Sequence, residues 1–275
     1  MKFIHLTDTH FVPKGKRLYG RDPRQTLEKA VADINANHGD AELVVITGDL
    51  THWGEAEAFE SLREALHPLR PPLKLLVGNH DDRALFSRSF PDQPTDANGF
   101  VQSTQNTAAG QFVFLDTMLD GTHAGHFCDA RQRWLADALE TSTDDLFLFM
   151  HHPPFLTGLP AADRIGLKDA DAFRCVIEPF KHRIRHLFCG HVHRPIAGSW
   201  LGIPVTTLRA LNHQLWFDMT EEDELRGSFE PPAYCVVLVD AERVVVHYHD
   251  FLDDSPKFIM SDSPWDDWSR RHKHP

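Results

Sequence analysis

The sequence predicts an α/β protein whose strands present functional residues at their carboxyl ends, and three observations lead there. Short apolar, β-prone runs at 3–7, Leu43–Thr47, 73–77 and Leu146–Met150 are separated by segments with apolar residues at helical spacing. These runs are almost continuously apolar, as in strands covered on both faces. Each run, and a further one at 186–189, is followed at once by Asp, Asn or His: Asp8-x-His10, Gly48-Asp49, Gly78-Asn79-His80-Asp81, His151-His152 and Gly190-His191-Val192-His193. Open α/β sheets bind ligands in the crevice outside the strand carboxyl ends, so these residues are expected to converge.

Taken in order, residues 2–7 read as a buried strand with Asp8-Thr9-His10 at its tip. Residues 11–21 are punctuated by Gly and Pro and carry Lys14, Lys16, Arg17 and Arg21, a loop at the crevice mouth that is either simply solvated or attracts an anion. Pro23 opens a helix over 24–37, with Leu27, Val31 and Ile34 on one face. Leu43–Thr47 is the second strand, 56–69 a helix stopped by Pro71-Pro72, 73–77 the third strand and 83–90 a short helix. This βαβαβα order implies a parallel sheet with right-handed crossovers. Residues 100–104 and 112–116 suit paired strands around a turn at 106–110. A helix over 129–139 turns Trp134, Leu135, Ala138 and Leu139 inward, and Leu146–Met150 is again a strand. The Gly-, Pro- and Ala-rich stretch 155–170 reads as a loop, and 171–180 as a helix with Phe173, Val176, Ile177 and Phe180 on one stripe. After the strand at 186–189 the alternation stops. Segments 204–207, Tyr234–Val239 and 243–249 read as strands without intervening helices, a more antiparallel second half. The acidic stretch 217–232 is expected to be a loop or cap edge, and 253–275 a tail that is disordered or packed on a neighbour.

A chain of 275 residues with 41% hydrophobic side chains can bury a full core, as one large domain or one domain with an appendage. Its net charge of -12 lacks the basic character that sequence-independent nucleic-acid binding needs, so no stable nucleic-acid partner is expected. Nineteen His residues are the compositional outlier, several directly after strands. Cys128, Cys175, Cys189 and Cys235 show no CxxC spacing and read as small buried hydrophobes in a reducing compartment. No apolar run approaches the roughly 20 residues that span a bilayer, and the first strand begins at Phe3, leaving no room for a removable leader. A soluble, cytoplasmic protein with no membrane partner is expected.

Asp, Asn and His without Cys form a hard-to-borderline donor set suited to first-row divalent or trivalent metals. A carboxylate at the centre of such a set can bridge two ions, and Asp49 is the candidate. Singly, Asp8 could cap a turn, Asn79 could fill one and His151 could merely end a strand. Five such pieces in order, each after a strand, argue against that bland reading of all of them.

The ordered set D-x-H, G-D, G-N-H-D, a lone H and G-H-x-H resembles the calcineurin-like metallophosphoesterases. Within that family the chain is similar to class III cyclic-nucleotide phosphodiesterases and bacterial glycerophosphodiesterases. The likeness runs through Asp8-Thr9-His10-Phe11, Leu18-Tyr19-Gly20, Gly78-Asn79-His80-Asp81-Asp82, Met150-His151-His152-Pro153-Pro154 and Asn212-His213-Gln214. The chain departs from protein Ser/Thr phosphatases at Leu50-Thr51-His52-Trp53-Gly54, from purple acid phosphatases at His52, where those carry Tyr, and from lipid A pathway pyrophosphatases at His80, where those carry Arg. The resemblance implies a four-layer α/β/β/α sandwich with a small C-terminal cap or dimerisation region. It implies a catalytic core over 1–212, with 213–275 supplying completing strands, the cap or oligomerisation segment and a tail. It implies that Asp8, His10, Asp49 and His193 hold one metal ion and that Asp49, Asn79, His151 and His191 hold a second, the ions being Fe, Mn, Zn or Co.

Two cations about 3.5–4 Å apart would acidify a shared water and clamp phosphate for in-line attack, making the bridging hydroxide the expected nucleophile. His80, beside Asn79, is the candidate for touching the phosphate, with Asp81 or Asp82 orienting it. His213 is a second catalytic candidate, set against an ordinary surface role. His52 is expected to line the pocket and His152 to orient a loop. Arg83 and Arg194, the basic residues near the motifs, hold no phosphate-clamping position known in the family, which favours a singly charged diester. The expected function is hydrolysis of small phosphodiesters, 3′,5′-cyclic nucleotides or glycerophosphodiesters. A phosphomonoesterase, a nuclease and an inactive scaffold are the alternatives, the last opposed by the presence of all seven proposed ligands. Phe251, Phe258, Trp265 and Trp268 fit a dimerising cap or a tail folded on its own subunit, and a homodimer or larger homo-oligomer is expected.

Overall fold

The computed structural model describes residues 1–262, 264 and 265. The first half of the chain runs β1 (Lys2–Leu6), α1 (Pro23–Asn37), β2 (Leu43–Thr47), α2 (Ala56–Leu66), β3 (Leu73–Leu76), α3 (Arg83–Ser89), β4 (Ser103–Thr107), β5 (Gly110–Leu115) and α4 (Asp129–Thr141). The second half runs β6 (Leu146–Met150), α5 (Pro160–Asp163), α6 (Ala170–Ile177), β7 (Ile184–Cys189), β8 (Ile196–Trp200), β9 (Ile203–Thr207), β10 (Gln214–Leu215), β11 (Gly227–Ser228), β12 (Tyr234–Val239) and β13 (Val244–His249).

Strand β1 shows why the layers form. Ile4 and Leu6 pack with Leu27 and Ile34 of α1 and Phe59 and Leu62 of α2, while Phe3 joins Phe112, Phe147, Phe149 and Phe188 of the other sheet. A strand with both faces buried reads as mainly apolar, and β1 does so apart from Lys2 at its start and the buried His5, whose Nε2 lies 2.9 Å from Thr47 Oγ1. The same division makes three cores: one between the first sheet and α1–α3, one between the sheets, and one between the second sheet and α4 and α6. The result is the α/β/β/α sandwich. Between the sheets, the Phe3 ring meets those of Phe112, Phe149 and Phe188 edge-on at 5.2, 5.7 and 5.4 Å, a favoured aromatic geometry.

The first sheet has the order β13-β12-β1-β2-β3 and the second β4-β5-β6-β7-β9-β8. Strands β1, β2 and β3 are parallel, as are β5, β6, β7 and β9. The expected antiparallel second half is corrected in part: β12 joins β1 antiparallel across the chain, but β9 lies parallel to β7. The short pair β10–β11 stands apart as a ribbon.

Local chemistry sets most boundaries. Asp22 accepts the Arg24 N–H at 3.0 Å and Pro23 occupies the first turn of α1. Helix α2 ends at Leu66 rather than 69, because Pro68 cannot continue it. Likewise α6 stops at Ile177 and Glu178–Phe180 tightens into a 3₁₀ turn around Pro179. The 155–170 stretch, expected as a loop, holds one helical turn, α5. The strand expected at 100–104 lies instead at Ser103–Thr107, and β8 carried no signal; both are sheet edges with their central residues exposed, so neither needs an apolar pattern. The cysteine expectation is half right. Cys189 and Cys235 are buried, Cys128 is half-buried and Cys175 exposed, and all four are free. No helix of the described residues is long and apolar enough to cross a membrane. Trp268, His272 and His274 of the tail lie outside the described residues.

Candidate metal centre

The carboxyl ends of β1, β2, β3, β6 and β7 meet at one side of the sandwich, and the loops after them bring the seven predicted ligands together. Asp8, His10, Asp49, His191 and His193 adopt φ values of 54°, 46°, 47°, 70° and 48°. Tyr19 and Leu201 are the remaining non-glycine residues with positive φ among the described residues. Left-handed backbone costs such side chains about 1–3 kcal/mol each and persists where surrounding structure enforces it. Here it turns five polar side chains sharply off their strands toward a common point. Glycines make room beside them. A Cβ on Gly78 would lie 2.2 Å from Asp49 Oδ1, and Gly48, at φ +95, could not carry one without meeting His151 Nδ1 at 2.6 Å.

Donor atoms of Asp8, His10, Asp49 and His193 all lie within 4.8 Å of one another. His193 Nε2 is 3.1 Å from Asp8 Oδ1, and His10 Nε2 is 3.7 Å from Asp49 Oδ2. The other Asp49 oxygen, Oδ1, is 3.3 Å from His151 Nε2. Asn79 Oδ1 is 3.2 Å from that nitrogen and 3.0 Å from His191 Nδ1. The seven side chains thus fall into two groups that share Asp49.

The residues present fit cations. His151 donates its Nδ1–H to the Thr47 carbonyl at 2.7 Å and His193 donates its own to the His213 carbonyl at 2.8 Å. With Nδ1–H so engaged, the Nε2 of each imidazole faces carboxylate or amide oxygens at 3.1–3.3 Å, a gap that calls for a positive centre, either a proton on Nε2 or a metal ion in its place. Asp8 Oδ2 accepts the Thr7 hydroxyl at 2.6 Å and the His191 N–H at 3.1 Å, whereas the buried Asp8 Oδ1 faces the Nε2 of His193 at 3.1 Å. His191 Nε2 is buried and unpartnered. Proton affinities tell the same story. Burial opposes charging His151, but Asp49 and Asp8 outweigh it and push its pKa up to about 9; burial and Asp8 contend in the same way at His193, which also rises. Burial disfavours ionised Asp8 and Asp49, yet the imidazoles, led by His193 and His151 respectively, hold both below the usual carboxylate range.

The supporting residues differ from expectation in one respect. Asp81 does not orient His80: its Oδ1 accepts Thr51 N–H at 2.8 Å and the Thr51 hydroxyl at 2.9 Å, and its Oδ2 accepts Leu50 N–H at 3.0 Å and Gly78 N–H at 2.9 Å. One buried carboxylate thereby ties the Asp49 loop to the Asn79 loop. Asp82 caps α3 through Leu85 N–H at 2.7 Å. His80 is held instead by its Nδ1–H to the His52 carbonyl at 2.7 Å and by stacking on the His52 ring at 4.8 Å and 15°. His152 accepts the Thr117 hydroxyl at Nδ1 and donates from Nε2 to the His123 carbonyl, so both nitrogens are engaged in holding a loop. His213 packs against the rings of His10 and His193 at 4.8 and 4.7 Å. Burial and His193 lower its pKa to about 3, which keeps it neutral.

A cavity of about 450 Å³ opens over these residues, lined by His10, Asp49, His52, Asn79, His80, His191, His193 and His213. His123, Tyr19, Trp53, Leu225, Arg226 and Phe229 also stand in its wall. His123, whose Nδ1 accepts from Asn79 Nδ2 at 3.0 Å, was not foreseen, because it sits mid-loop with no strand before it. The loop over 11–21 reaches the cavity through Tyr19 and not through its basic residues: Lys14 pairs with Glu64 at 3.3 Å and Arg21 donates to the Asn212 carbonyl at 3.0 Å.

Comparison with known proteins identifies the family. The model of the calcineurin-like phosphoesterase family matches residues 1–195. A probable cyclic nucleotide phosphodiesterase of Rhodopseudomonas palustris is 47% identical over 267 residues, 96% of this chain and 97% of the relative. The glycerophosphodiester phosphodiesterase GpdQ of Enterobacter lignolyticus is 30% identical over 255 residues, 90% and 91% of the two chains. In fold, the chain is similar to a dimetal phosphatase from Danio rerio, with TM-score 0.69 at 16% identity, over 90% of this chain and 95% of that one. The chain belongs to the calcineurin-like phosphoesterase family, a fold that implies divalent ions, and its strand-end Asp and His residues form groups that could hold a metal ion.

Proposed function

We propose that the chain is a binuclear metal-dependent phosphodiesterase acting on small diesters, 3′,5′-cyclic nucleotides or glycerophosphodiesters. The observation that carries the diester reading is the charge of the cavity wall. Arg226 is the one Lys or Arg lining the cavity among the described residues, and Glu221, Glu224 and Asp218 already surround its guanidinium. Arg83 is engaged by Asp116 and Asp120, and Arg194 by Glu230. A monoester carrying nearly two charges would find little compensation from the wall; a diester carrying one needs less.

In this reading Asp8, His10, Asp49 and His193 hold one ion, and Asp49, Asn79, His151 and His191 the other, drawn from Fe, Mn, Zn or Co. Such ions, when bound, supply Lewis acidity that offsets phosphoryl charge and makes water a competent nucleophile at neutral pH. The chain's own residues do the rest. With Nδ1–H fixed on the His52 carbonyl, His80 keeps Nε2 for the cavity, which suits it to a phosphoryl oxygen or the leaving group. His213, kept neutral, accepts from Asn212 Nδ2 at Nδ1 (3.3 Å) and so offers an Nε2–H to the substrate. At the rim, Tyr19, Trp53 and Phe229 are 58%, 69% and 60% exposed and offer flat faces to a nucleobase, which favours cyclic nucleotides. The reading extends to a cytoplasmic protein with a core over 1–212. Residues 213–275 then supply the completing strands and a cap, whose exposed Trp216, Phe217 and Met219 suit self-association as a homo-oligomer.

The test is kcat/KM on bis(p-nitrophenyl) phosphate against p-nitrophenyl phosphate with Mn²⁺-reconstituted enzyme, beside Asn79→Ala. A preference for the diester that vanishes in Asn79→Ala is expected. Preference for the monoester would overturn the substrate class, and inactivity on both would return the scaffold alternative.

A further inference from the structure

A second group of metal-type donors lies away from the crevice, where α1 crosses β12 and β13. Asp33 and His38 stand at the C-terminal end of α1, and His249 ends β13. Their donor atoms, one from each residue, lie within 4.8 Å of one another, and none of the three lines the cavity. His249 Nε2 is 3.2 Å from Asp33 Oδ2, close to the edge of a tetrahedral zinc site with bonds of about 2.0–2.2 Å. The His38 and His249 rings are 6.0 Å apart and nearly perpendicular. Asp33 is itself held: Tyr234 donates its hydroxyl to Oδ2 and Asn37 donates an amide hydrogen to Oδ1 at 2.8 Å. Outer partners of this kind fix a ligating carboxylate in metal sites.

We propose that Asp33, His38 and His249 form a further binding site for one divalent ion of the zinc class, distinct from the phosphoesterase centre. Two imidazoles and one carboxylate suit a borderline d-block ion and disfavour Mg²⁺ or Ca²⁺, which call for all-oxygen shells. All three residues are half-buried, which leaves a fourth position open to water. The ion would pin the last turn of α1 to the end of the last strand, joining residues 216 apart in sequence, and it plays no part in phosphate chemistry.

The discriminating variant is His38→Gln. It removes a donor while leaving the Asp33–Tyr234 and Asp33–His249 hydrogen bonds in place, so it separates ion binding from a mere hydrogen-bond network. Wild type, His38→Gln and His249→Gln are equilibrated with Zn²⁺, desalted together and analysed for zinc per chain, with kcat/KM and Tm measured alongside. His272 and His274 are present in all three proteins and cancel in the difference. The expected result is one equivalent of zinc fewer in each variant, unchanged kcat/KM, and a Zn²⁺-dependent rise in Tm that is larger in wild type than in either variant, whose crevice centre still takes the ion. Equal zinc content in wild type and His38→Gln would overturn the proposal, whatever the catalytic centre holds.

Discussion

The carboxylate of Asp81 gives the sharpest test of how the two ligand-bearing loops are joined. Replacement by Asn keeps its shape and one acceptor oxygen but turns an amide NH₂ toward donors that the carboxylate now satisfies. One or two buried N–H groups among Leu50, Thr51 and Gly78 are then left without a partner, at about 1–3 kcal/mol each. Against this stands relief of a buried charge. Burial, with Asp49 nearby, raises Asp81 from 3.8 to about 6, a penalty of about 3 kcal/mol for the ionised form at neutral pH. The two terms oppose each other and leave a net of at most about 3 kcal/mol, so Asp81→Asn should shift Tm by no more than about 10 °C in either direction. Its effect on Asp49 and Asn79 has no such compensation, and loss of an outer partner typically costs 10–100-fold in metal affinity or activity. Calorimetry and kcat/KM under graded Mn²⁺ would be measured on the same preparation. Wild-type kcat/KM at limiting metal would refute the bracing role. So would a Tm loss large enough to account for the lost activity.

Other expectations follow from single contacts. Gly78→Ala places a methyl group 2.2 Å from Asp49 Oδ1; a fold intact by circular dichroism with activity down by at least about 100-fold is expected, and near-wild-type turnover would contradict the packing. Burial lowers His5 to about 3 and His186 to about 4. Below pH 6.5 the unfolded chain gains protons that these residues refuse in the native state. Stability therefore falls with falling pH, by about 2 kcal/mol per histidine at pH 5. Urea titrations at pH 7 and 5 should show a smaller loss for a His5→Gln/His186→Gln variant, and an equal loss would count against their being held neutral. Trp53→Ala should reduce kcat/KM for a 3′,5′-cyclic nucleotide by about 5–100-fold while sparing bis(p-nitrophenyl) phosphate; equal effects on both would remove the stacking role. Light scattering at micromolar concentration should give a multiple of 31.3 kDa, and a monomer mass would end the oligomer reading.

The sandwich was legible because its strands are buried on both faces. Phe3, Val45, Phe149 and Phe188 had to be apolar to meet the opposite sheet, and their neighbours to meet the helices. The candidate site was legible for a related reason: when a covered strand ends, a polar residue directly beyond it marks the crevice, as at Asp8, Asp49 and His151. The edge strands β4 and β8 had no such constraint, with exposed central residues free to be polar or small. His123, Leu225 and Phe229 reach the cavity from irregular segments, whose paths depend on long-range packing and leave no periodic trace. Asp81 was assigned to the wrong partner because sequence adjacency suggested His80. Its short side chain instead reaches backbone donors on two loops, a contact that only the folded chain defines.

Two ions sharing Asp49 are the centre of the proposed chemistry. Anomalous scattering from crystals of the Mn²⁺-loaded enzyme tests this most directly. Two manganese peaks are predicted in the crevice, one among Asp8, His10, Asp49 and His193 and one among Asp49, Asn79, His151 and His191. A single peak at full loading, or two peaks without Asp49 between them, would contradict it.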